Sequence, residues 1–157
     1  MSEIRVRIAH LAVARGDGAL VAPALGSCVA IALHDAAAGV GGLAHVLLPS
    51  SVGHRAGPPA KFVDTAVVSL LDEMAALGAG ARTVAKLAGG ASMFQALLAG
   101  GENVGARNVE AARRALARAG VPLIAEDVGG EHGRTVSLSL RTGRLGVRSL
   151  QQVHVEL

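Results

Sequence analysis

The chain has 157 residues, of which 51% are hydrophobic and 17% charged, and its formal net charge is +3 at pH 7. This length can bury a sizeable core, and the hydrophobic composition excludes an intrinsically disordered chain. A single cysteine excludes an internal disulfide, and the absence of Trp and Tyr argues against a protein that stacks single-stranded nucleic acid on aromatic rings.

Strand signals dominate the first half of the chain. Ile4, Val6 and Ile8 alternate with arginines, which is the pattern of a half-buried strand. Further along, apolar stretches and turn residues predict a turn at residues 16–18, buried strands at residues 29–33 and 41–48, and a loop at residues 50–59.

Two amphipathic helices are predicted in the second half. The first ends at Gly78, and its apolar face consists of Val63, Ala66, Val67, Leu70, Leu71 and Met74. Asn108 is predicted to cap the second helix, which ends at Gly120. The remaining predicted elements are a strand at residues 84–88 that leads into Gly89-Gly90, a helical turn around Met93 and Phe94, a strand at residues 121–125, a hairpin of residues 136–140 and 145–150, and an edge strand at residues 153–155.

Because strands outnumber helices and short turns join several of them, these elements predict an α+β fold. We expect a single domain, residues 1–157, in which mixed or antiparallel sheets are covered by two main helices.

The basic residues do not indicate a nucleic-acid partner, although the sequence pI is about 10.0. The densest group, Arg113, Arg114 and Arg118, is spread around the solvated side of a helix rather than gathered into a stripe. The longest uncharged stretch, residues 36–53, contains glycines, a histidine and a proline and does not suit a bilayer span. With no secretory signal in view, we expect a cytoplasmic protein that does not insert into membranes.

Cofactor and metal motifs are not apparent in the sequence. None of the glycine-rich turns continues into a dinucleotide-binding pattern or a P-loop. The six histidines form no i, i+4 pair, and there is no second cysteine to share zinc. Glu126, Asp127, Glu131 and His132 are most simply interpreted as solvated charges around a turn. We therefore expect no metal and no cofactor.

Cys28 and His45 form the one remaining candidate for chemistry. Each lies on or beside a predicted strand, and two adjacent antiparallel strands would bring them together. A nearby imidazole can take the thiol proton and later protonate a leaving amine, and a paired thiolate would react below the free-thiol pKa of about 8.5. The main-chain N–H of Cys28 or Ser27 is a candidate oxyanion donor. The alternative is structural, because free cysteine is usually a small buried hydrophobe and a strand histidine is often a hydrogen-bonded core residue.

Six sequence segments resemble, in order, motifs of the chemoreceptor glutamine deamidase family, CheD. They are Leu25-Gly26-Ser27-Cys28-Val29-Ala30, Gly42-Leu43-Ala44-His45-Val46-Leu47-Leu48-Pro49, Lys61-Phe62-Val63-Asp64-Thr65-Ala66, Ala88-Gly89-Gly90-Ala91-Ser92-Met93-Phe94, Asn103-Val104-Gly105-Ala106-Arg107-Asn108 and Ala125-Glu126-Asp127-Val128-Gly129-Gly130. The resemblance extends over nearly the whole chain.

The resemblance implies a cytoplasmic chemotaxis enzyme that hydrolyses glutamine side chains of methyl-accepting receptors to glutamate and ammonia. It implies Cys28 as the nucleophile, His45 as general base and acid, receptor cytoplasmic helices as substrate and the CheC phosphatase as a partner. It also implies an α/β sandwich similar to bacterial deamidating toxins. In this setting Gly26, Ser27 and Asn103 are candidates for oxyanion or substrate contacts, and Gly89, Gly90 and Gly105 for close backbone approach.

One position departs from the family pattern, which commonly places a threonine where this chain has Ala22. The family threonine would orient the imidazole. We expect a main-chain carbonyl near Ala22 to do so here, because a carbonyl needs no particular side chain. The alternative is a non-catalytic adaptor that binds receptors and the phosphatase.

Overall fold

A computed structural model describes residues 2–92, 103–149 and 154–157 of the chain. Within these ranges the structure has ten strands and two helices. The strands are β1 (Glu3–Arg5), β2 (Leu11–Arg15), β3 (Ala19–Leu25), β4 (Val29–Asp35), β5 (Val40–Val46), β6 (Val84–Gly89), β7 (Leu123–Val128), β8 (Arg134–Ser139), β9 (Leu145–Ser149) and β10 (Val155–Glu156). The helices are α1 (Val63–Ala76) and α2 (Val104–Arg118).

The strands form two mixed five-stranded sheets. The first has the order β1-β3-β8-β9-β10, and the second has the order β2-β5-β4-β6-β7. Each sheet contains one parallel pair of strands, β1 with β3 in the first sheet and β6 with β7 in the second. All other paired strands are antiparallel. Because α2 lies between β6 and β7 in the chain, it supplies the long connection that a parallel pair requires. The architecture is α+β, as the sequence predicts.

The two helices, the second sheet and the first sheet form three layers, with a separate hydrophobic core between each adjacent pair of layers. The second sheet packs one face against α1 and α2, where residues such as Ile31, Leu70 and Leu116 are buried. Its other face packs against the first sheet, around residues such as Leu20 and Leu138. Every residue of β4 and β5 is therefore buried, which explains why both strands are almost continuously apolar. The side chains that β4 and β5 direct toward the first sheet are buried in the layer between the two sheets.

Two predictions from the sequence are wrong in their details. Ile4 and Ile8 are 41% and 51% exposed, and β1 ends at Arg5, because the strand lies at the edge of its sheet and pairs only with β3. The second helix begins one turn earlier than predicted. Asn103 is its N-cap, and Asn108 lies inside the helix and is fully buried.

Three further elements differ in how they compare with the sequence predictions. The strand β2 was not predicted, whereas the edge strand near the end of the chain is present as β10. The predicted helical turn around Met93 and Phe94 lies outside the described residues.

Candidate active site

Cys28 lies immediately before β4, at the end of a short bend that follows β3. Its thiol is free and only 6% exposed, and it faces the layer between the two sheets. Main-chain hydrogen bonds hold this bend against the end of β6. The N–H of Gly90 donates to the carbonyl of Cys28 (2.8 Å), and the N–H of Ala91 donates to that of Gly26 (2.9 Å). The cysteine therefore lies on a fixed backbone.

His45 lies near the end of β5, which pairs with β4 in the antiparallel manner expected from the sequence. It is directly opposite Ala30, so the two side chains share one face of the sheet. Cys28 precedes Ala30 by two residues and lies on the same face. Such diagonal neighbours are about 7–8 Å apart at Cα, within reach of long side chains. The fold brings the candidate nucleophile and the candidate base together.

The imidazole of His45 is held by a main-chain carbonyl. Its Nδ1 lies 3.1 Å from the carbonyl oxygen of Val6. A carbonyl oxygen only accepts hydrogen bonds, so Nδ1 carries the proton, and the neutral ring presents a lone pair at Nε2. Nε2 is buried and has no hydrogen-bond partner among the described residues. The ring is thus in the tautomer that can accept a proton from a thiol.

The carbonyl that contacts His45 belongs to Val6 and not to Ala22. The two segments are nevertheless adjacent, because the N–H of Val6 donates to the carbonyl of Val21 (2.7 Å). Ala22 is fully buried in the core between the sheets, in the same apolar cluster as Cys28. No sequence signal indicated Val6, since a main-chain contact places no demand on the side chain.

Burial moves the pKa values of both groups toward their neutral forms. Desolvation lowers the pKa of His45, although the contact with Val6 opposes this shift. Desolvation raises the pKa of the Cys28 thiol, although a hydrogen bond from its own main-chain N–H opposes this shift. Both shifts favour a neutral thiol and a neutral imidazole over a preformed ion pair.

Glycines allow the backbone around Cys28 to pack closely, as predicted. A Cβ on Gly89 would lie 2.5 Å from the carbonyl oxygen of Cys28, and the residue has a φ of +101°. Side chains at Gly90 or Gly105 would likewise meet backbone atoms of α2 or of the end of β6. The first turn of α2 thus packs directly against the segment that holds Cys28.

The other predicted site residues are nearby but have structural partners. Ser27 and Gly26 belong to the bend before Cys28. Their carbonyls accept hydrogen bonds from the side chain of Asn108 (2.9 Å) and the N–H of Ala91 respectively. Asn103 caps α2, because its side-chain oxygen accepts a hydrogen bond from the N–H of Ala106 (3.0 Å). The hydrogen bond from Asn108 to Ser27 was not predicted, because in the local sequence Asn108 suits a helix cap.

Two of the acidic residues near the turn at Gly129-Gly130 are paired with arginines. Glu126 binds Arg113 at 2.6 Å, and Asp127 binds Arg134 at 3.2 Å. No group of three or more His, Cys, Asp and Glu side chains in the described part of the chain is arranged to hold a metal ion. Within the same residues no helix is long and apolar enough to cross a membrane.

A cysteine on a fixed backbone, on the same face of the sheet as the buried imidazole of His45 with its free Nε2, is an arrangement suited to nucleophilic acyl transfer. Comparison with known proteins identifies the family. The family model described as CheD chemotactic sensory transduction matches residues 47–149. The chain belongs to the CheD family.

Curated relatives support this assignment over most of the chain. A probable chemoreceptor glutamine deamidase CheD of Pyrococcus abyssi is 48% identical over 151 residues, which cover 94% of this chain and 92% of that protein. The chemoreceptor glutamine deamidase CheD of Thermotoga maritima is 45% identical over 146 residues, which cover 92% of this chain and 90% of that protein. A probable chemoreceptor glutamine deamidase, CheD 2, of Geobacter metallireducens is 47% identical over 153 residues, which cover 95% and 94% of the two chains.

Proposed function

We propose that this protein deamidates glutamine side chains of chemoreceptors, with Cys28 as nucleophile and His45 as general base and acid. The observation that carries the proposal is the free Nε2 of His45, on the same face of the sheet as Cys28, with Nδ1 held by Val6. The names of the relatives supply the substrate class, glutamine on a chemoreceptor.

The first half of the reaction forms a thioester. His45 Nε2 takes the thiol proton as Sγ of Cys28 attacks the carboxamide carbon, which gives a tetrahedral intermediate with a negative oxygen. The main-chain N–H of Cys28, or of Ser27, is the candidate hydrogen-bond donor to that oxygen. The imidazolium then gives its proton to the amide nitrogen, the C–N bond breaks, and ammonia leaves.

The second half hydrolyses the thioester. Water attacks the carbonyl carbon while His45 Nε2 takes a proton from it, and the C–S bond then breaks. The sulfur recovers its proton from the imidazolium, so the net change is glutamine plus water to glutamate plus ammonia. The reaction uses only a thiol, an imidazole and water. A neutral starting pair suits it, because the proton moves only when the amide carbon is in place.

Several finer features of the proposal come from the family resemblance. They are a deamidase domain that spans residues 1–157, cytoplasmic location, an overall likeness to bacterial deamidating toxins, and binding of the CheC phosphatase. The receptor segment would be presented as a helix of its cytoplasmic region.

Mass spectrometry of a receptor cytoplasmic fragment tests the proposal. The fragment is incubated with the full chain, with Cys28→Ala and with His45→Asn, and conversion of each glutamine to glutamate is followed. Conversion by the wild-type protein but by neither variant supports the proposed deamidase activity. No conversion by the folded wild-type protein, together with binding of the fragment, would instead favour the non-catalytic adaptor.

A further inference from the structure

Asn108 donates two hydrogen bonds to main-chain carbonyls outside its own helix. It lies in the second turn of α2 and is fully buried. Its side-chain Nδ2 donates to the carbonyl oxygen of Ser27 at 2.9 Å and to that of Leu47 at 3.1 Å. Because both partners can only accept, the two contacts fix which atom of the amide is the nitrogen. The two N–H groups of one side chain thus bind two different chain segments.

These two segments are the ones that carry the catalytic pair. Ser27 immediately precedes Cys28, and Leu47 follows His45 by two residues at the end of β5. The amide of Asn108 therefore joins the backbone beside the nucleophile to the backbone beside the base. It does so from a third element, α2, which also packs against β6 through Gly105 and Gly90.

The hydrogen bond from Asn108 to Ser27 is one of three that hold consecutive carbonyls of the bend before β4. The carbonyls of Gly26, Ser27 and Cys28 each accept a hydrogen bond, from Ala91, Asn108 and Gly90 respectively. The outer two bonds are made by main-chain N–H groups and do not depend on the side chain of Asn108. Only the middle bond depends on a side chain, so it can be removed alone.

The middle bond also sets the direction of the N–H of Cys28. The peptide group that joins Ser27 to Cys28 is planar and trans, so its C=O and N–H point in opposite directions. When Asn108 holds the carbonyl toward α2, the N–H of Cys28 points away from α2. This N–H donates to the cysteine's own sulfur, which opposes the effect of burial on the thiol pKa. It is also a candidate oxyanion donor.

The amide oxygen of Asn108 has no partner in the described part of the chain, which indicates that the two N–H groups are what this position requires. Its Oδ1 is buried and has no hydrogen-bond partner among the described residues. An unpaired buried oxygen is unfavourable, and asparagine is a poorer helix former than leucine. A leucine, which has the same branching at Cγ, would remove both costs but would also lose both ties.

We propose that Asn108 is a positioning residue that fixes Cys28 and its N–H relative to His45 through the carbonyls of Ser27 and Leu47. This inference rests on the proposed deamidase function and extends it to a residue that does not touch the substrate. Small displacements of reacting groups can reduce rates by about 10²-fold, so the loss of both ties is expected to appear mainly in kcat.

The test compares Asn108→Leu with Leu116→Ala, in the full chain. Leu116 lies on the same helix and is equally buried, but it belongs to the core between α2 and the sheet. Its truncation lowers stability without removing a tie to the site. Both variants are assayed well below their melting temperatures for kcat, for KM and for the pH dependence of Cys28 alkylation. If Asn108→Leu does not fold, Asn108→Ser carries the test, since one hydroxyl cannot donate to both carbonyls.

The expected result is a fall in kcat of about 10²-fold for Asn108→Leu with little change in KM, and an alkylation profile displaced to higher pH. Leu116→Ala is expected to keep the wild-type kcat and profile at a lower melting temperature. Equal kcat values in the two variants would overturn the inference. An inactive wild-type protein would count against the proposed function instead. The alkylation profile would then decide the role of Asn108, and an unchanged profile would refute it.

Discussion

The Nδ1–H of His45 donates to the main-chain carbonyl of Val6 across a distance of 3.1 Å. This one contact selects the tautomer in which Nε2 is the basic nitrogen, and it orients the ring from a segment that is remote in sequence. In the proposed mechanism this carbonyl takes the orienting role of the threonine that the family commonly has where this chain has Ala22.

Ala22→Thr is therefore expected to leave the deamidation rate unchanged or lower. Ala22 is fully buried between the sheets, so the added atoms must be accommodated in a packed core, at a cost of about 1–3 kcal/mol. The rate is measured with the receptor fragment and the stability by thermal unfolding. A gain of orders of magnitude in rate would show that the carbonyl of Val6 does not suffice.

The acid limb of the activity profile is expected below about pH 6.5, the ordinary pKa of histidine. Burial disfavours the imidazolium and lowers the pKa of His45, so the neutral base persists to lower pH than a solvated histidine would. The measurement is kcat/KM against pH, which reports the ionisations of the free enzyme. An acid limb centred above pH 7 would contradict the buried neutral imidazole.

Alkylation of Cys28 in the resting protein is expected to be slow at neutral pH. Burial raises the pKa of the thiol, so the thiolate becomes abundant only above the free-thiol value of about 8.5. Mass spectrometry after timed exposure to iodoacetamide gives the rate at each pH, and an unstructured cysteine peptide serves as reference. Fast alkylation at pH 6 would indicate a preformed thiolate–imidazolium pair instead.

Gly89→Ala is expected to impair both stability and activity, with Gly78→Ala as its matched control. The two glycines have similar φ angles, +101° and +105°, so both alanines incur about 1–2 kcal/mol of left-handed strain. Only the Cβ at Gly89 also meets the carbonyl of Cys28, whereas nothing lies within 4 Å of a Cβ at Gly78. Activity is compared at equal fractions of folded protein. Equal loss of activity in both variants would refute the role assigned to this close contact.

The sequence predicts the strands on which the site is built but not the contacts that organise it. Apolar stretches separated by a short turn indicate that β4 and β5 are neighbours, and this suffices to bring Cys28 near His45. The role of Val6 has no sequence signal, because a carbonyl is common to every residue. The alternation of Ile4, Val6 and Ile8 with arginines predicted a longer half-buried strand than the structure has. Ile4 is exposed because an edge strand paired on one side need not bury its apolar residues, and Ile8 lies beyond the end of the strand.

The sequence does not determine where α2 starts, because it offers two suitable N-cap residues. Asn103 and Asn108 are both followed by valine, and both suit a cap. The glycine between them weakens the first turn as a helix and favours the later start. The structure uses the earlier start because Gly105 is needed where α2 meets Gly90, a contact that no local pattern reveals.

Trapping of the acyl-enzyme tests the central claim, that Cys28 carries the acyl group of glutamine, most directly. Hydroxylamine intercepts thioesters, so a receptor fragment incubated with the enzyme and hydroxylamine should acquire a hydroxamate at the same glutamines that otherwise become glutamate. The account predicts hydroxamate with the wild-type protein and none with Cys28→Ala. Glutamate formation by Cys28→Ala at the wild-type rate would contradict it.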